Sequence, residues 1–189
     1  MKNVPPAIIE WFEKRPLARE TLRIIYRCHK KGIREIIPYR IARIRGIIRG
    51  EQRLASFATR TANSIEKVLL KLAGEGNSPF RGNPILNYEK CDEGGRRKLI
   101  FRVRDEELLK ACYEAINTWQ HQQLTKSATE IFKILENGLG GTVISFRIHV
   151  TLRSQEGRLE EIDLSESDDR IIDRAIEKEY SGRRRGRNR

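Results

Sequence analysis

An isoleucine stripe between residues 33 and 48 constrains the fold of this chain more than any other feature. The segment reads IREIIPYRIARIRGII, and its isoleucines recur mostly at intervals of three and four residues. That spacing gathers them on one face of a helix, which other apolar side chains must cover. Proline is well tolerated only in the first turn of a helix, so we expect this helix to begin at Pro38. The pattern therefore predicts a packed helical core in the first part of the chain.

The same reasoning extends along the chain. Helical spacing, caps and stop signals predict helices at residues 6–14, 17–31, 51–74, 105–124, 127–137 and 165–180. A break at 60–63 inside the fourth helix stays open. Alternating or β-rich segments with turn signals predict hairpins from residues 84–91 and 96–103, and from residues 142–153 and 158–164. We therefore expect an α+β fold.

The charge is strongly polarised along the chain. The net charge is +12, but residues 1–53 carry +9, residues 54–104 carry +5, residues 105–180 carry −7 and residues 181–189 carry +5. A surplus of this size favours a polyanionic partner, which the acidic part would repel. We interpret residues 1–104 as a basic nucleic-acid-binding domain and residues 105–180 as an acidic helix-strand-helix module for dimerisation or partner binding. Residues 181–189 are interpreted as a disordered arginine-rich tail.

Three cysteines at wide spacing, Cys28, Cys91 and Cys112, include no CxxC pair. They predict buried or half-buried free thiols in a reducing compartment and indicate neither a zinc site nor a disulfide framework. The N-terminal residues lack the apolar core of a signal peptide, and no apolar run approaches the roughly 20 residues of a membrane span. We expect a cytoplasmic protein that does not bind membranes. Its charge-rich, Met-poor composition follows the trend of hyperthermophile proteins.

A small motif inside the isoleucine-rich segment indicates a helix pair. Ala42 allows a following helix to cross closely, Gly46 can take the left-handed conformation of a short turn, and Ile47 returns to the core. This pattern resembles the second helix and turn of helix-turn-helix DNA-binding domains. With the helix before it, the helix after it and the basic hairpin that follows, residues 17–104 resemble a winged-helix domain, in which the hairpin is the wing.

The resemblance implies a recognition helix that starts near Arg49, although residues 48–74 are long for one and the part that enters a groove stays open. Its early polar residues would read bases, because Arg pairs with guanine edges and Gln with adenine. Arg60 and Lys67 would contact phosphates, and the wing tip would reach the backbone or the minor groove. Together with the arginines that flank the stripe, the candidate set is Arg43, Arg45, Arg49, Gln52, Arg53, Ser56, Arg60, Lys67, Arg96, Arg97 and Lys98.

The C-terminal segment SGRRRGRNR is a second candidate, because flexible arginines bind phosphate without regard to sequence. Its candidate residues are Arg183, Arg184, Arg185 and Arg187. Aromatic residues beside basic ones, Trp11-Phe12, Phe80-Arg81 and Tyr88 with Lys90, could stack on unpaired bases, but core packing is the favoured interpretation of Trp11 and Phe12. A strand with one apolar face in the acidic half must also be covered, either by a second domain or by a second copy of the chain. A homodimer would present two basic domains to half-sites one helical turn apart.

No catalytic or cofactor motif is present in the sequence, and Glu160, Glu161 and Asp163 fit a solvated strand face better than a nuclease metal site. We therefore predict a duplex DNA-binding protein, acting in transcription regulation or in replication or plasmid maintenance. It is not expected to be an enzyme or to need a cofactor, a metal or a small-molecule substrate. Two alternatives remain: a binder of single-stranded DNA or RNA, and an adaptor subunit that holds a protein partner through the acidic half.

Overall fold

The computed structural model describes residues 4–93, 96–139, 149–153, 159–163 and 168–181. Within these ranges the chain forms helices and two separate antiparallel hairpins, which confirms the α+β class. The helices are α1 (Pro6–Glu13), α2 (Pro16–Lys30), α3 (Pro38–Ile48), α4 (Leu54–Leu72), α5 (Glu106–Leu139) and α6 (Asp168–Ser181). The strands are β1 (Leu86–Glu93), β2 (Arg96–Val103), β3 (His149–Arg153) and β4 (Leu159–Asp163).

Proline defines where the first three helices begin. Pro6, Pro16 and Pro38 each occupy a first-turn position, where the missing backbone N–H costs nothing. Helix α4 is continuous through residues 60–63, so the break left open there is absent. Helix α5 is likewise one element, whereas the sequence predicted two helices separated near residue 125. No glycine or proline lies between residues 106 and 137, so nothing in the local sequence stops the helix.

The turn between α3 and α4 differs from the prediction. Gly46 lies inside α3, and the left-handed residue is Gly50, with a φ of 65°. The N–H groups of Gly50 and Glu51 donate to the carbonyls of Ile47 and Gly46, at 3.1 and 2.9 Å, which is the Schellman pattern of a helix end. Gly46 instead allows close packing, since a Cβ there would lie 2.5 Å from Leu54 Cδ1 and 3.0 Å from Phe57 Cδ1.

The first hairpin is tied to the helices by one additional bridge. Ile36, between α2 and α3, exchanges both backbone hydrogen bonds with Phe101 of β2, at 2.8 and 2.9 Å. Within the hairpin, the register runs from Leu86 opposite Val103 to Glu93 opposite Arg96. From α2 onward, the chain order is therefore one helix, the bridging residue Ile36, two helices and then a hairpin whose second strand pairs with Ile36.

The core is built from the apolar faces of the helices and the inner side of the hairpin. Its largest fully buried side chains are Phe12, Phe80, Phe101, Leu22, Ile24, Ile25, Ile36, Ile41, Ile44, Ile65, Leu69 and Leu72. The predicted free thiols are confirmed: Cys28 and Cys112 are buried and Cys91 is half-buried. Burial raises the pKa of both buried thiols to about 12, so these sulfurs pack as small apolar groups.

The structure divides the chain at other points than the charge pattern does. One compact unit comprises residues 1–117 and 171–189, and the other comprises residues 118–170. Residues of α6 therefore belong with the basic helices, although they lie in the acidic segment. Ile172 and Ile176 of α6 are buried in the core of the first unit. The predicted boundary at residue 104 followed net charge, but apolar burial decides which segments fold together.

Opposite charge adds to the packing of α6. Arg27 of α2 donates from both Nε and Nη2 to the carboxylate of Asp173, with Nε 2.8 Å from Oδ1. Lys31 reaches Glu177 at 2.7 Å, and the Arg40 guanidinium lies over the Tyr180 ring at 4.9 Å. Acidic residues of α6 thus neutralise cations of α2 instead of facing an outside partner.

The second unit contains the remainder of α5 and the β3–β4 hairpin. The register pairs Val150 with Ile162 and His149 with Asp163. The predicted strand from residue 142 is described only from His149, and the rest of it lies outside the described residues. Among the helices that the structure describes, none is both long and apolar enough to cross a membrane.

A substitution tests the packing role of Gly46. We expect Gly46→Leu to lower the free energy of unfolding by about 1–3 kcal/mol, because the added side chain must displace Leu54 and Phe57. Chemical denaturation measures this, with Ala55→Leu as the control, since Ala55 is exposed on α4 and should change stability by only about 0.5 kcal/mol. Equal effects of the two changes would contradict the close contact.

Acid titration tests the contact between α2 and α6. The hydrogen bond from Arg27 lowers the pKa of Asp173 in the folded protein. A lowered folded pKa means that the pair stabilises fully above the unfolded value of about 3.9, and that this stability disappears as pH falls through the folded pKa. Asp173→Asn should therefore cost about 1 kcal/mol at pH 7, and this cost should shrink as the pH falls below the unfolded value of about 3.9. A loss independent of pH, measured by urea denaturation, would exclude the ion pair as its cause.

Candidate nucleic-acid interface

Two of the predicted binding arginines are used inside the fold. Arg45 has its side chain only 12% exposed, and its Nε lies 2.6 Å from Glu20 Oε2 on α2. Its guanidinium also lies 5.7 Å from the centre of the Phe57 ring. Arg43 Nε lies 2.7 Å from Glu179 Oε2, a carboxylate that is almost fully buried. Both arginines therefore lie beside carboxylates of neighbouring helices, which reduces what they can offer to an outside partner, and their assignment to the nucleic-acid-binding set stays a prediction.

Arg49 stands at the end of one helix and not at the start of the next. It is the C-terminal capping residue of α3, whereas α4 begins at Leu54. Its Nη2 lies 3.2 Å from Glu20 Oε2, so Glu20 binds both Arg45 and Arg49. Arg49 is half exposed and keeps part of its donor capacity. The recognition helix was predicted to start near Arg49, but α4 begins only at Leu54.

The remaining candidates of this region gather on one helix face. Gln52 precedes α4 and is exposed, while Arg53 is its N-terminal capping residue. Exposed residues then recur at intervals of three and four along α4, which places them on one side of the helix. We call this side the α4 face, formed by Arg53, Ser56, Arg60, Asn63, Ser64 and Lys67.

Burial on the opposite side of α4 fixes the direction of this face. Ile65, Leu69 and Leu72 are fully buried, and Phe57 and Ala58 are buried nearer the N-terminal end of the helix. These apolar residues pack α4 against α2 and α3. The helix therefore cannot rotate without exposing its core side, so the α4 face is held toward solvent.

The cations of the α4 face differ from Arg43, Arg45 and Arg49 in having no carboxylate partner within the described residues. Within the described residues, no Asp or Glu pairs with Arg53, Arg60 or Lys67. Arg60 donates from Nε to the Ser56 carbonyl at 3.3 Å, which leaves both terminal nitrogens of its guanidinium without a partner there. The exposed positions of α4 also contain no acidic residue.

The spacing of these cations keeps their mutual electrostatic repulsion small. Arg53, Arg60 and Lys67 are seven residues apart, which corresponds to about 10 Å of helix axis per interval. Exposed charges at that separation are largely screened at physiological ionic strength. A polyanion brought near them nevertheless interacts with all three at once, so this face can attract phosphates without destabilising the free protein.

The register of the hairpin pairs acidic with basic positions near its tip. It places Arg96 opposite Glu93 and Arg97 opposite Asp92, while Lys98 lies opposite Cys91. The other predicted cluster, Arg183, Arg184, Arg185 and Arg187, lies outside the described residues.

The aromatic residues that suggested base stacking are mostly packed together. Trp11 meets Phe12 and Phe80 edge-on, with ring centres 4.9 and 5.8 Å apart, and both phenylalanines are buried. Tyr88 packs against Phe101 and donates its hydroxyl to Glu75 at 3.0 Å. Across the described residues, Tyr39 is the one aromatic side chain classed as exposed. Core packing, the favoured interpretation of Trp11 and Phe12, is confirmed for Phe12, and Phe80 is buried with it.

The acidic residues considered for a metal site lie on β4. The register places Glu160, Glu161 and Asp163 opposite Leu152, Thr151 and His149. In the described part of the chain, no three His, Cys, Asp or Glu side chains come together as a metal site. The α4 face is therefore the candidate nucleic-acid-binding site.

Sequence reasoning missed two residues of the α4 face, Asn63 and Ser64. Both residue types are common at helix starts, and a break at residues 60–63 would have made either of them a cap of a second helical segment. Their distance of three and four residues from Arg60 was the signal that could have placed them on its face.

Comparison with protein-family models, curated proteins and solved structures finds no match to this chain.

Stability measurements separate the two classes of arginine. We expect Arg45→Ala to lower the free energy of unfolding by about 1–3 kcal/mol, because it removes a mostly buried side chain and leaves Glu20 with fewer donors. Arg60→Ala should change it by less than about 0.5 kcal/mol, since Arg60 is exposed and bonds only to its own helix. Equal losses in thermal or urea unfolding would contradict this division.

Proposed function

We propose that this protein binds duplex nucleic acid, with DNA favoured, through the α4 face. The observation that carries the proposal is the contrast between neighbouring helices. Carboxylates of the protein itself bind Arg43, Arg45 and Arg49, whereas Arg53, Arg60 and Lys67 have no such partner among the described residues. Partnerless cations on a rigid helix are the groups that a polyanion can bind without first breaking an internal ion pair.

The energetic advantage of such a face comes from counterion release. Each phosphate neutralised by a Lys or Arg frees condensed counterions from the duplex, and the affinity falls with salt in proportion to the number of such contacts. A cation already paired with a carboxylate gains less, because its own pair must be broken or shared. The α4 face therefore contributes more to binding per cation than the arginines of α3.

The order of elements supports a duplex as the partner. A helix, a bridging residue, two packed helices and a hairpin follow one another, as the resemblance to winged-helix domains implies. A helix held rigidly against a core can enter a major groove, which is wide enough to admit it. Single-strand binders use exposed aromatic platforms, and the rings of Phe12 and Phe80 are buried.

In its proposed role, the protein acts by binding to a site on DNA, as a transcription regulator or a replication or maintenance factor does. A homodimer would bring two α4 faces to adjacent half-sites and would strengthen binding without new contacts. Measurement of the molar mass in solution, with and without duplex, tests this part of the proposal.

Titration by fluorescence anisotropy tests the α4 face. The full chain and an Arg53/Arg60/Lys67→Ala variant are compared on one labelled duplex across a salt series. We expect the variant to bind at least about tenfold more weakly and to lower the slope of log affinity against log salt by about 0.9 for each phosphate contact that it loses. Circular dichroism establishes that both proteins are folded.

A charge-matched variant, Lys126/Arg174/Lys178→Ala, serves as control because it removes three exposed cations outside α4. It should retain most of the affinity. If both variants lose the same affinity, net charge alone drives binding and the proposed face is wrong. If the full chain prefers a single strand of the same sequence, or binds neither strand form at about 150 mM salt, duplex binding is refuted.

A further inference from the structure

We infer that the centre of the α4 face, Arg60 with Asn63, reads base edges in the major groove, while Arg53 and Lys67 at its two ends hold phosphates. This inference rests on the proposed function and assigns different tasks to different residues of the same face. It reverses part of the sequence-based expectation, which assigned base reading to Arg49, Gln52, Arg53 and Ser56 and phosphate contact to Arg60 and Lys67.

The α4 face is longer than the major groove of B-DNA is wide. Fourteen residues separate Arg53 from Lys67, which corresponds to about 21 Å along the helix axis. The major groove of B-DNA is about 12 Å wide, with phosphates along both edges. A helix that lies across the groove therefore brings the two ends of this face close to the edges. Residues near the midpoint, about 10 Å from either end, lie above the base pairs.

The side chains at the midpoint of the α4 face are of types that can read base edges. Arg and Asn are the residue types that make paired hydrogen bonds to the major-groove edges of guanine and adenine, respectively. Arg60 and Asn63 are three residues apart on one face, about 4.5 Å along the helix, close to the 3.4 Å rise between base pairs. The pair is thus spaced to contact neighbouring base pairs.

The local hydrogen bonds leave both side chains able to do this. Arg60 uses Nε on the Ser56 carbonyl, which holds the guanidinium beside its own helix and leaves two nitrogens to donate together. Asn63 is exposed, and no hydrogen bond engages its amide within the described residues. Ser56 and Ser64, also exposed on this face, are short enough not to keep the longer side chains away from the bases.

The assignment also explains why Arg49 is unsuited to base reading. Its guanidinium shares Glu20 with Arg45, so a carboxylate lies beside the donors that would meet the DNA. A carboxylate close to the groove floor and the phosphates repels the duplex. No carboxylate pairs with Arg60 in this way within the described residues; Glu66, the acidic residue of α4, is half-buried, and the exposed Glu51 lies nine residues before Arg60.

Selection from a pool of randomised duplexes tests the inference. The full chain is used to enrich bound DNA, and the enriched sequence should contain a G·C pair next to an A·T pair. Affinities are then measured for the selected duplex and for duplexes that change either pair. Asn63→Ala should reduce discrimination at the A·T pair by about tenfold, and Arg60→Ala should do so at the G·C pair.

Lys67→Ala separates phosphate contact from base reading. It should weaken binding to all of these duplexes equally, leave discrimination unchanged and reduce the salt slope by about 0.9. Asn77→Ala, which removes an exposed amide from the loop after α4, should change neither affinity nor discrimination.

Two outcomes overturn the inference while the proposed function stands. One is tight duplex binding with no enriched sequence, and the other is an enriched sequence whose discrimination survives in both Asn63→Ala and Arg60→Ala. Failure of the full chain to bind any duplex would instead refute the proposed function, and the inference with it.

Discussion

Glu20 of α2 determines how the positive charge of this protein is distributed between structure and surface. Its carboxylate lies within 3.2 Å of both Arg45 and Arg49, and it thereby joins α2 to the end of α3. Glu179 and Asp173 of α6 bind Arg43 and Arg27 in the same manner. The net charge of +12 is therefore a poor guide to the binding surface, because part of it holds helices together. What distinguishes the α4 face is that three cations without a carboxylate partner among the described residues lie along one side of a rigid helix.

The contact between α3 and α4 gives this division its geometry. Gly46 has no side chain, so Leu54 and Phe57 can approach the backbone of α3 closely. That approach turns the apolar side of α4 inward and its polar side outward. The Schellman turn at Gly50 then reverses the chain without occupying the groove between the helices. A side chain at residue 46 would shift α4 and, with it, the direction in which Arg60 and Lys67 point.

Periodicity and proline placement were sufficient to predict most elements of the first unit, because both act through local backbone geometry. Helix α2 was predicted at residues 17–31 and lies at Pro16–Lys30, and the basic hairpin was predicted within two residues of its bounds. The choice between Gly46 and Gly50 as the turn residue was beyond local reasoning, since it depends on how Leu54 and Phe57 pack. The pairing of Arg45 with Glu20 joins residues 25 positions apart and leaves no trace in the spacing of either. Within the described residues, the members of the candidate set that lie on the α4 face are Arg53, Ser56, Arg60 and Lys67, whereas the arginines of α3 could be judged only from their partners.

A titration of backbone amide signals by nuclear magnetic resonance locates a bound duplex on the protein without any substitution. Adding a short DNA duplex should shift the amide signals of residues 53–67 first and most strongly. Signals of α2 and α6, where cations are already paired, should change little. If the largest shifts fall on α2 and α6 while those of α4 stay unchanged, the α4 face is not the binding surface.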